Sequence, residues 1–344
     1  MIIEQNKSLQ SLNTFGIDVY AKYFTQIRSV EEYRELLGDP KFRNEKKLLL
    51  GGGSNILFTR NFDGIVIRNS IPGIEIVSET ETEVIVRSRA GEAWHGFVLW
   101  CIERNFGGIE NLSLIPGFAG AAPMQNIGAY GVEIKDVFHE LEAVDVHTGE
   151  IERFSLGDCD FGYRESVFKN KFKNRFLITS LSLKLTKLSS PKAAYRYKVD
   201  YGDVKATLSE MKAYDLSVKA VSDAIIKIRS SKLPDPKVLG NAGSFFKNPS
   251  IPKTQFEELV TKYPVMPSYP QRNGTLKIPA GWLIEQCGWK GKVVGHTGSH
   301  KMQALVLVNY GNATGSEIWQ LAQDIRQSVS EKFGIEIQPE VNVV

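Results

Sequence analysis

Between Asn111 and Gly131 the chain carries a long run rich in Gly, Ala, Pro and Asn. Pro116, Gly117, Gly120 and Pro123 interrupt it, so neither a regular helix nor a regular strand can pass through. A segment of that length without regular structure, inside a compact domain, is usually functional. The rest of the chain has to fold around it.

The flanking patterns give that surrounding structure. Ser29-Val30-Glu31-Glu32 reads as a capping box, with Ser29 as N-cap and Glu32 reaching back. The helix it opens carries Tyr33, Leu36 and Leu37 and stops at Gly38. Lys47–Leu50 reads as a short buried strand, Ile56–Phe58 as a second apolar run and Ile65–Ile67 as another strand. From about residue 71 strand patterns such as Glu83–Arg87 dominate, interrupted by one amphipathic helix from about Glu92 to Arg104. A further helix is predicted around Val218–Ile228, with Val218, Val221, Ile225 and Ile228 on one face. Lys232-Leu233-Pro234-Asp235-Pro236 reads as an extended linker, because each proline restricts the residue before it. The last helix is expected to be capped at Thr314 with Glu317 three residues on. Its apolar face is Ile318, Leu321, Ala322, Ile325, Val329 and Phe333, and Gly334 ends it. Ile335–Val344 reads as a closing strand-like run.

Composition removes several function classes. The 344 residues hold 42 basic and 39 acidic side chains, a net charge of +3 that is too balanced for nucleic-acid binding as the main task. A few extra cations still suit an anionic small molecule. Cys101, Cys159 and Cys287 are odd in number and lack CxxC spacing, so reduced thiols are expected rather than a disulfide framework or a zinc site. The five histidines show no metal-ligand spacing, and no metal is expected. The start, MIIEQNKSLQ, has no basic segment followed by an apolar core, and no apolar run is long enough to span a bilayer. A cytoplasmic location without membrane insertion is the expectation.

Five segments carry candidate chemistry. Gly51-Gly52-Gly53-Ser54-Asn55 follows a strand; its glycines let successive N–H groups converge on a phosphate, or it is a hairpin turn. It is not the dinucleotide GxGxxG fingerprint, because a strand rather than a helix follows. Ile115–Gly131 would let backbone approach a flat heteroaromatic ring, with Gln125 and Asn126 as edge partners; the alternative is a surface loop, for which Phe118, Met124 and Ile127 are unusually apolar. Phe161–Ser166 places Arg164 beside Tyr163, suited to a carboxylate through paired hydrogen bonds or to a surface ion pair. Gly240–Pro249 sets Ser244 among small residues and before two phenylalanines, as a proton donor or as a capping or turn serine. Gln338-Pro339-Glu340-Val341 puts a carboxylate between apolar residues, either desolvated or on a solvent-facing strand edge.

Together, from Asn13-Thr14-Phe15-Gly16-Ile17 to Glu340, these segments resemble the UDP-N-acetylenolpyruvoylglucosamine reductase (MurB) family, flavoenzymes of bacterial peptidoglycan precursor synthesis. Tyr201-Gly202-Asp203 resembles the subgroup with a substrate-covering tyrosine loop. The resemblance implies an α+β fold: a two-subdomain FAD-binding fold of the vanillyl-alcohol-oxidase type (residues 1–70 and 71–222), plus a third α+β substrate-binding domain (223–344) whose C-terminal strand returns to the flavin. It implies tightly bound, non-covalent FAD, NADPH as reductant, a UDP-sugar substrate and a monomer. The family's FAD contacts carry over to Gly51, Gly53, Ser54 and Asn55, and to Gly117, Ala121, Gln125, Asn126 and Gly128. The middle glycine, Gly52, and the segment Trp289-Lys290-Gly291 fall where the family varies. The catalytic carry-over falls on Arg164, Ser244 and Glu340. Arg164 and protonated Glu340 would stabilise the charge that develops on the substrate, and Ser244 would protonate it. Tyr201, Lys232, Asn248 and Gln303 match positions that hold the sugar nucleotide. Two readings compete: an FAD-dependent oxidase of the same fold, which needs neither Ser244 as an acid nor Lys232 on a pyrophosphate, and a non-catalytic sugar-nucleotide-binding protein.

Overall fold

A computed structural model describes residues 1–271 and 273–344. Its contacts gather into two compact units. The first comprises residues 1–7, 21–52 and 63–231, and the second residues 8–20, 53–62 and 232–344.

The first unit contains two large sheets and a two-stranded ribbon, Gly128–Ala129 with Val132–Glu133. One has four strands in the order Ile3–Ser8, Tyr20–Ile27, Phe62–Asn69 and Lys47–Leu50. Lys47–Leu50 runs parallel to Phe62–Asn69, and such a pair needs a crossover connection, which here includes the first glycine loop. The hairpin alternative for that loop is thereby removed. Helix Val30–Gly38 packs Tyr33 and Leu36 against Ile65 and Ile67, and the same core takes in Val144 and Leu177 of the second sheet. Segments on either side of residue 70 thus share one apolar core. At the start of that helix Ser29 accepts from the Glu32 amide, as expected, but the Glu32 carboxylate reaches one residue further back, to the Arg28 amide.

The second sheet is antiparallel, in the order Ile151–Ser155, Phe138–Asp145, Phe176–Lys187, Glu83–Arg89 and Ile74–Glu79, with Phe106–Gly107 also paired to the central strand. Residues Phe176–Leu183 of the central strand are all buried, as expected of a strand covered on both faces. Helix Trp94–Glu103 buries Trp94, Phe97, Val98, Cys101 and Ile102 in the core beneath it. Helix Val218–Lys232 buries the four residues read as its apolar face. It runs four residues beyond the expected Ile228, so Lys232 is the last residue of a helix rather than the first of an extended linker. The segment from Asn111 to Gly131 is likewise more regular than its composition suggested. It includes 3₁₀ turns over Glu110–Leu112 and Ala119–Gln125, with Pro123 accommodated inside the second.

The second unit has an antiparallel sheet in the order Gly240–Ser244, Val306–Asn309, Thr297–Ser299 and Val293–Val294. Helix Gly315–Phe333 covers it with the predicted apolar face, closed by the Thr314/Glu317 capping box and by Gly334 in the left-handed region. The expected closing strand is shorter than read. Only Asn342–Val343 pairs as a strand, parallel to Ile56–Leu57, because the residues before it bond to the Phe245–Lys247 backbone instead.

Candidate active site

In the first unit the two glycine-rich segments lie against each other. A Cβ on Gly51 would sit 3.5 Å from Ala121 Cβ, and one on Gly52 would sit 2.9 Å from Gly117 Cα. The second distance is shorter than real Cβ contacts, and its partner is backbone, so only glycine fits at 52. The family resemblance implied that Gly52 is a variable position; in this chain it packs between loops, which no local pattern reveals. Gly117 is held with φ +108° and its carbonyl accepts from the Trp94 amide at 2.9 Å. Ala121 is exposed, and Gln125, four residues on, is half-buried.

Further along, Asn126 is fully buried with φ +43°. Its Nδ2 donates to Glu133 Oε2 at 3.1 Å and to the Gly162 carbonyl at 3.0 Å, and its Oδ1 accepts from the Lys135 amide at 3.1 Å. The Asn126 side chain is therefore bonded to protein on both ends, and one of those bonds fixes the next element. Gly162 and Glu165 exchange backbone hydrogen bonds across a tight turn with Tyr163 and Arg164 at its corner. Arg164 takes φ +58°, an unusual backbone for a non-glycine residue and one that clusters at functional sites. From there its Nη2 donates to the Gly128 carbonyl at 2.6 Å, and its guanidinium lies 5.2 Å from the Tyr163 ring. Arg164 and the second glycine segment are thus joined directly.

A second guanidinium was not found from sequence. Arg229, on helix Val218–Lys232, has its Nε buried with no hydrogen-bond partner among the described residues. Burial pulls its pKa down, and the like charge of Arg164 acts in the same direction. It also interacts with His95, whose pKa burial lowers and whose Nδ1 accepts from the Leu114 amide at 3.0 Å. A lone arginine in a helix carries no pattern that distinguishes it from a solvent-facing one. Tyr201 is 58% exposed, with its ring edge-on to Tyr130 at 6.4 Å.

The second unit holds the remaining residues. Gly53, with φ +67°, lies so close to Leu12 that a Cβ would fall 1.9 Å from its carbonyl oxygen. Asn55 Nδ2 donates to the Glu340 carbonyl at 3.3 Å, and the Asn55 carbonyl accepts from the Asn342 amide at 3.1 Å. Ser54 is half-buried between them in sequence. The Glu340 amide in turn donates to the Phe245 carbonyl at 2.7 Å, one residue from Ser244. Ser244 is exposed at the end of its strand while Phe245 and Phe246 are buried. Glu340 is therefore tied to the Asn55 side chain and, by a backbone bond, to Phe245, the residue after Ser244. Glu340 is half-buried, between the open strand edge and the fully desolvated carboxylate considered above.

Asn248 and Gln303 each lie against the start of helix Ala280–Gln286. Asn248 Oδ1 accepts from the Ala280 amide at 2.9 Å, and a Cβ on Gly281 would be 3.2 Å from Gln303 Oε1. Gly281 is another close-approach glycine without a sequence signal. Lys232 is exposed at the end of its helix. Of the three catalytic candidates, Ser244 and Glu340 belong to the second unit and Arg164 to the first.

Comparison with known proteins bears on this arrangement. A family model described as "UDP-N-acetylenolpyruvoylglucosamine reductase, C-terminal domain" matches residues 235–344, and one described as "FAD binding domain" matches residues 21–155. The chain is 52% identical to the UDP-N-acetylenolpyruvoylglucosamine reductase of Flavobacterium johnsoniae over all of both chains. It is 47% identical to the protein of that name from Pseudomonas aeruginosa over 99% of this chain and 98% of the relative. The solved structure of the MurB reductase from Thermus caldophilus aligns with a TM-score of 0.67 at 21% identity, covering 100% of this chain and 99% of that one, and so shares its fold. The expected α+β fold with an FAD-binding part and a MurB C-terminal part is borne out. The chain belongs to the UDP-N-acetylenolpyruvoylglucosamine reductase family.

Proposed function

We propose that this protein reduces the enolpyruvyl double bond of UDP-N-acetylglucosamine enolpyruvate to give UDP-N-acetylmuramate, with FAD as cofactor and NADPH as reductant. The reaction serves peptidoglycan precursor synthesis. The observation that carries the reading is the 52% identity along the whole chain to a reductase of that name.

The residues fit FAD. Gly52 presses against Gly117 with no space for a side chain, and Gly51 lies in ordinary contact distance of Ala121, so this part of the two loops presents backbone. Backbone is what a diphosphate and the edge of a flat ring need to approach closely. Gly51, Gly53, Ser54 and Asn55, with Gly117, Ala121, Gln125 and Gly128, are the residues that would hold it. Asn126 serves by anchoring the Arg164 turn. When bound, FAD supplies the two-electron relay that side chains cannot provide.

The chain's own residues handle charge and protons. Reduction of the alkene places negative charge on the carbon that bears the carboxylate. Arg164 and, in its protonated form, Glu340 are the donors that stabilise it, and one well-aimed donor of this kind is worth about 3–4 kcal/mol of barrier. Ser244, an exposed residue, delivers the proton to that carbon. A serine hydroxyl is a weak acid, but a carbanionic carbon is a base strong enough to take its proton. Tyr201, Lys232, Asn248 and Gln303 hold the sugar nucleotide, Lys232 being suited to the diphosphate. Residues 1–70 and 71–222 bind the flavin, and residues 223–344, together with Tyr201, the sugar. No helix among the described residues is long and apolar enough to cross a membrane, and we assign the protein to the cytoplasm as a monomer.

An absorbance spectrum tests the proposal. The purified protein should be yellow, NADPH should bleach it, and the enolpyruvyl sugar should restore the colour without oxygen. Recovery by air alone would identify an oxidase, and a colourless protein a simple binder.

A further inference from the structure

The segment from Ala193 to Asp200 leads into Tyr201 and belongs to none of the sheets among the described residues. Its burial nonetheless alternates. Ala193, Tyr195, Tyr197 and Val199 face inward, while Ala194, Arg196, Lys198 and Asp200 are exposed. An extended arm without a strand ladder has to be held by something else.

Two adjacent residues supply the hold. Glu110 and Asn111 sit in one 3₁₀ turn and are each only 1% exposed. The Tyr195 hydroxyl donates to Glu110 Oε1 at 2.5 Å, and the other carboxylate oxygen accepts from the Gly108 amide at 2.8 Å. Burial, together with the Glu110 charge, pushes the Tyr195 phenol far above its ordinary pKa, so it remains a donor. Gly107 makes the seat: a Cβ there would be 2.9 Å from the Tyr195 ring. Asn111 Nδ2 then bridges two carbonyls, donating to Lys198 on the arm at 2.7 Å and to Tyr130 at 3.0 Å. Tyr130 is the residue whose ring meets Tyr201 edge-on. Both ends of the contact between Tyr130 and Tyr201 are thus referred to one buried amide.

We infer that Glu110 and Asn111 are positioning residues for the substrate: they clasp the arm so that Tyr201 is presented in register with Tyr130, and they set the affinity for the sugar nucleotide without touching it. The inference rests on the reading of Tyr201 as a substrate-holding residue. The clasp is polar and buried, which makes it costly to break and specific in register.

The test uses the full-length holoenzyme. Asn111→Asp removes both donors, and Tyr195→Phe removes one. Trypsin cleavage after Arg196 and Lys198 should become about tenfold faster in Asn111→Asp, as expected for an arm that opens locally. The KM for the enolpyruvyl sugar should rise roughly tenfold in Asn111→Asp and less in Tyr195→Phe, while the rate of flavin reduction by NADPH stays at the wild-type value. Glu110→Gln should behave as wild type, because its amide can donate to the Tyr195 oxygen while its carbonyl still accepts from Gly108. Unchanged trypsin cleavage in Asn111→Asp would overturn the clasp. So would faster cleavage with an unchanged KM, provided Tyr201→Ala raises KM in the same assay. If Tyr201→Ala leaves KM unchanged, it is the reading of Tyr201 that fails, and the inferred effect on affinity fails with it.

Discussion

The arm from Ala193 to Asp200 and the C-terminal segment from Ile335 to Val344 both lack an extended strand ladder of their own, and each leads to a residue proposed for function, Tyr201 and Glu340. They are held by different means. In the C-terminal segment Ile335, Ile337 and Val341 are buried, and the backbone is tied down along its length. Gln338 accepts from the Lys247 amide at 2.9 Å, Glu340 donates to Phe245 at 2.7 Å, and Val344 both accepts from Thr59 and donates to Leu57. The arm depends instead on side chains, Glu110 and Asn111, reaching from elsewhere. Backbone bonds fix a residue whatever its neighbours are, whereas a side-chain clasp can be lost through one substitution. The contrast matches the tasks proposed for them. Glu340 has to be in one place for chemistry, while Tyr201 has to admit and then cover a large substrate.

The sharpest way to break this comparison is at the fixed end. Ser244→Ala should leave reduction of the flavin by NADPH nearly intact and slow reoxidation by the enolpyruvyl sugar by about 10²–10⁴-fold, the usual scale for losing a general acid. Rapid-mixing absorbance of the two half-reactions would measure both; equal loss in each would remove the acid role. Gly53→Ala comes next. Its Cβ would meet the Leu12 carbonyl in a left-handed backbone, with a combined cost of about 3 kcal/mol or more. Asn55, two residues on, bonds to Glu340, so this variant should lose both thermal stability and bound FAD. Gel filtration with the absorbance ratio of flavin to protein would read it, and full retention of FAD would contradict the tight fit. At the adjustable end, Tyr201→Ala should raise the sugar KM about tenfold, as for the loss of one binding contact, with flavin reduction unchanged. A larger effect on the rate of flavin reduction than on KM would mean the arm is not a substrate device at all.

How much of this is legible in the sequence follows the same division. Elements set by local chemistry could be read directly: the Ser29 and Thr314 caps, the apolar face of helix Gly315–Phe333, and the glycine clusters. The glycines announced loops of close approach but not what approaches. That Gly52 faces Gly117, or Gly281 faces Gln303, depends on pairings set by the tertiary fold. Lys232 read as linker because two prolines follow it, yet the buried face at Val221, Ile225 and Ile228 carries the helix through to it. Glu110, Asn111 and Arg229 gave no signal. A single polar residue looks the same in sequence whether it faces water or sits buried, and the partner of Glu110 lies 85 positions away. The roles of Ser244 and Glu340 came through resemblance, since neither sits in a pattern whose spacing encodes its chemistry.

The smallest effect offers the finest test of how firmly the C-terminal segment is held. Gly334 ends helix Gly315–Phe333 with φ +63°, and nothing lies within 4 Å of the position its Cβ would take. Gly334→Ala therefore adds backbone strain without a clash, about 1 kcal/mol, the low end for a non-glycine residue in the left-handed region. In a chain of this size that lowers Tm by about 1–3 °C. If the backbone bonds at Gln338, Glu340 and Val344 fix the segment independently of how it leaves the helix, FAD content and both half-reactions should stay at wild-type values. A loss of sugar-dependent reoxidation approaching that of Ser244→Ala would show the opposite. Glu340 would then owe its position to the exit angle at Gly334, and the C-terminal segment would be as dependent on one remote residue as the tyrosine arm is on its clasp.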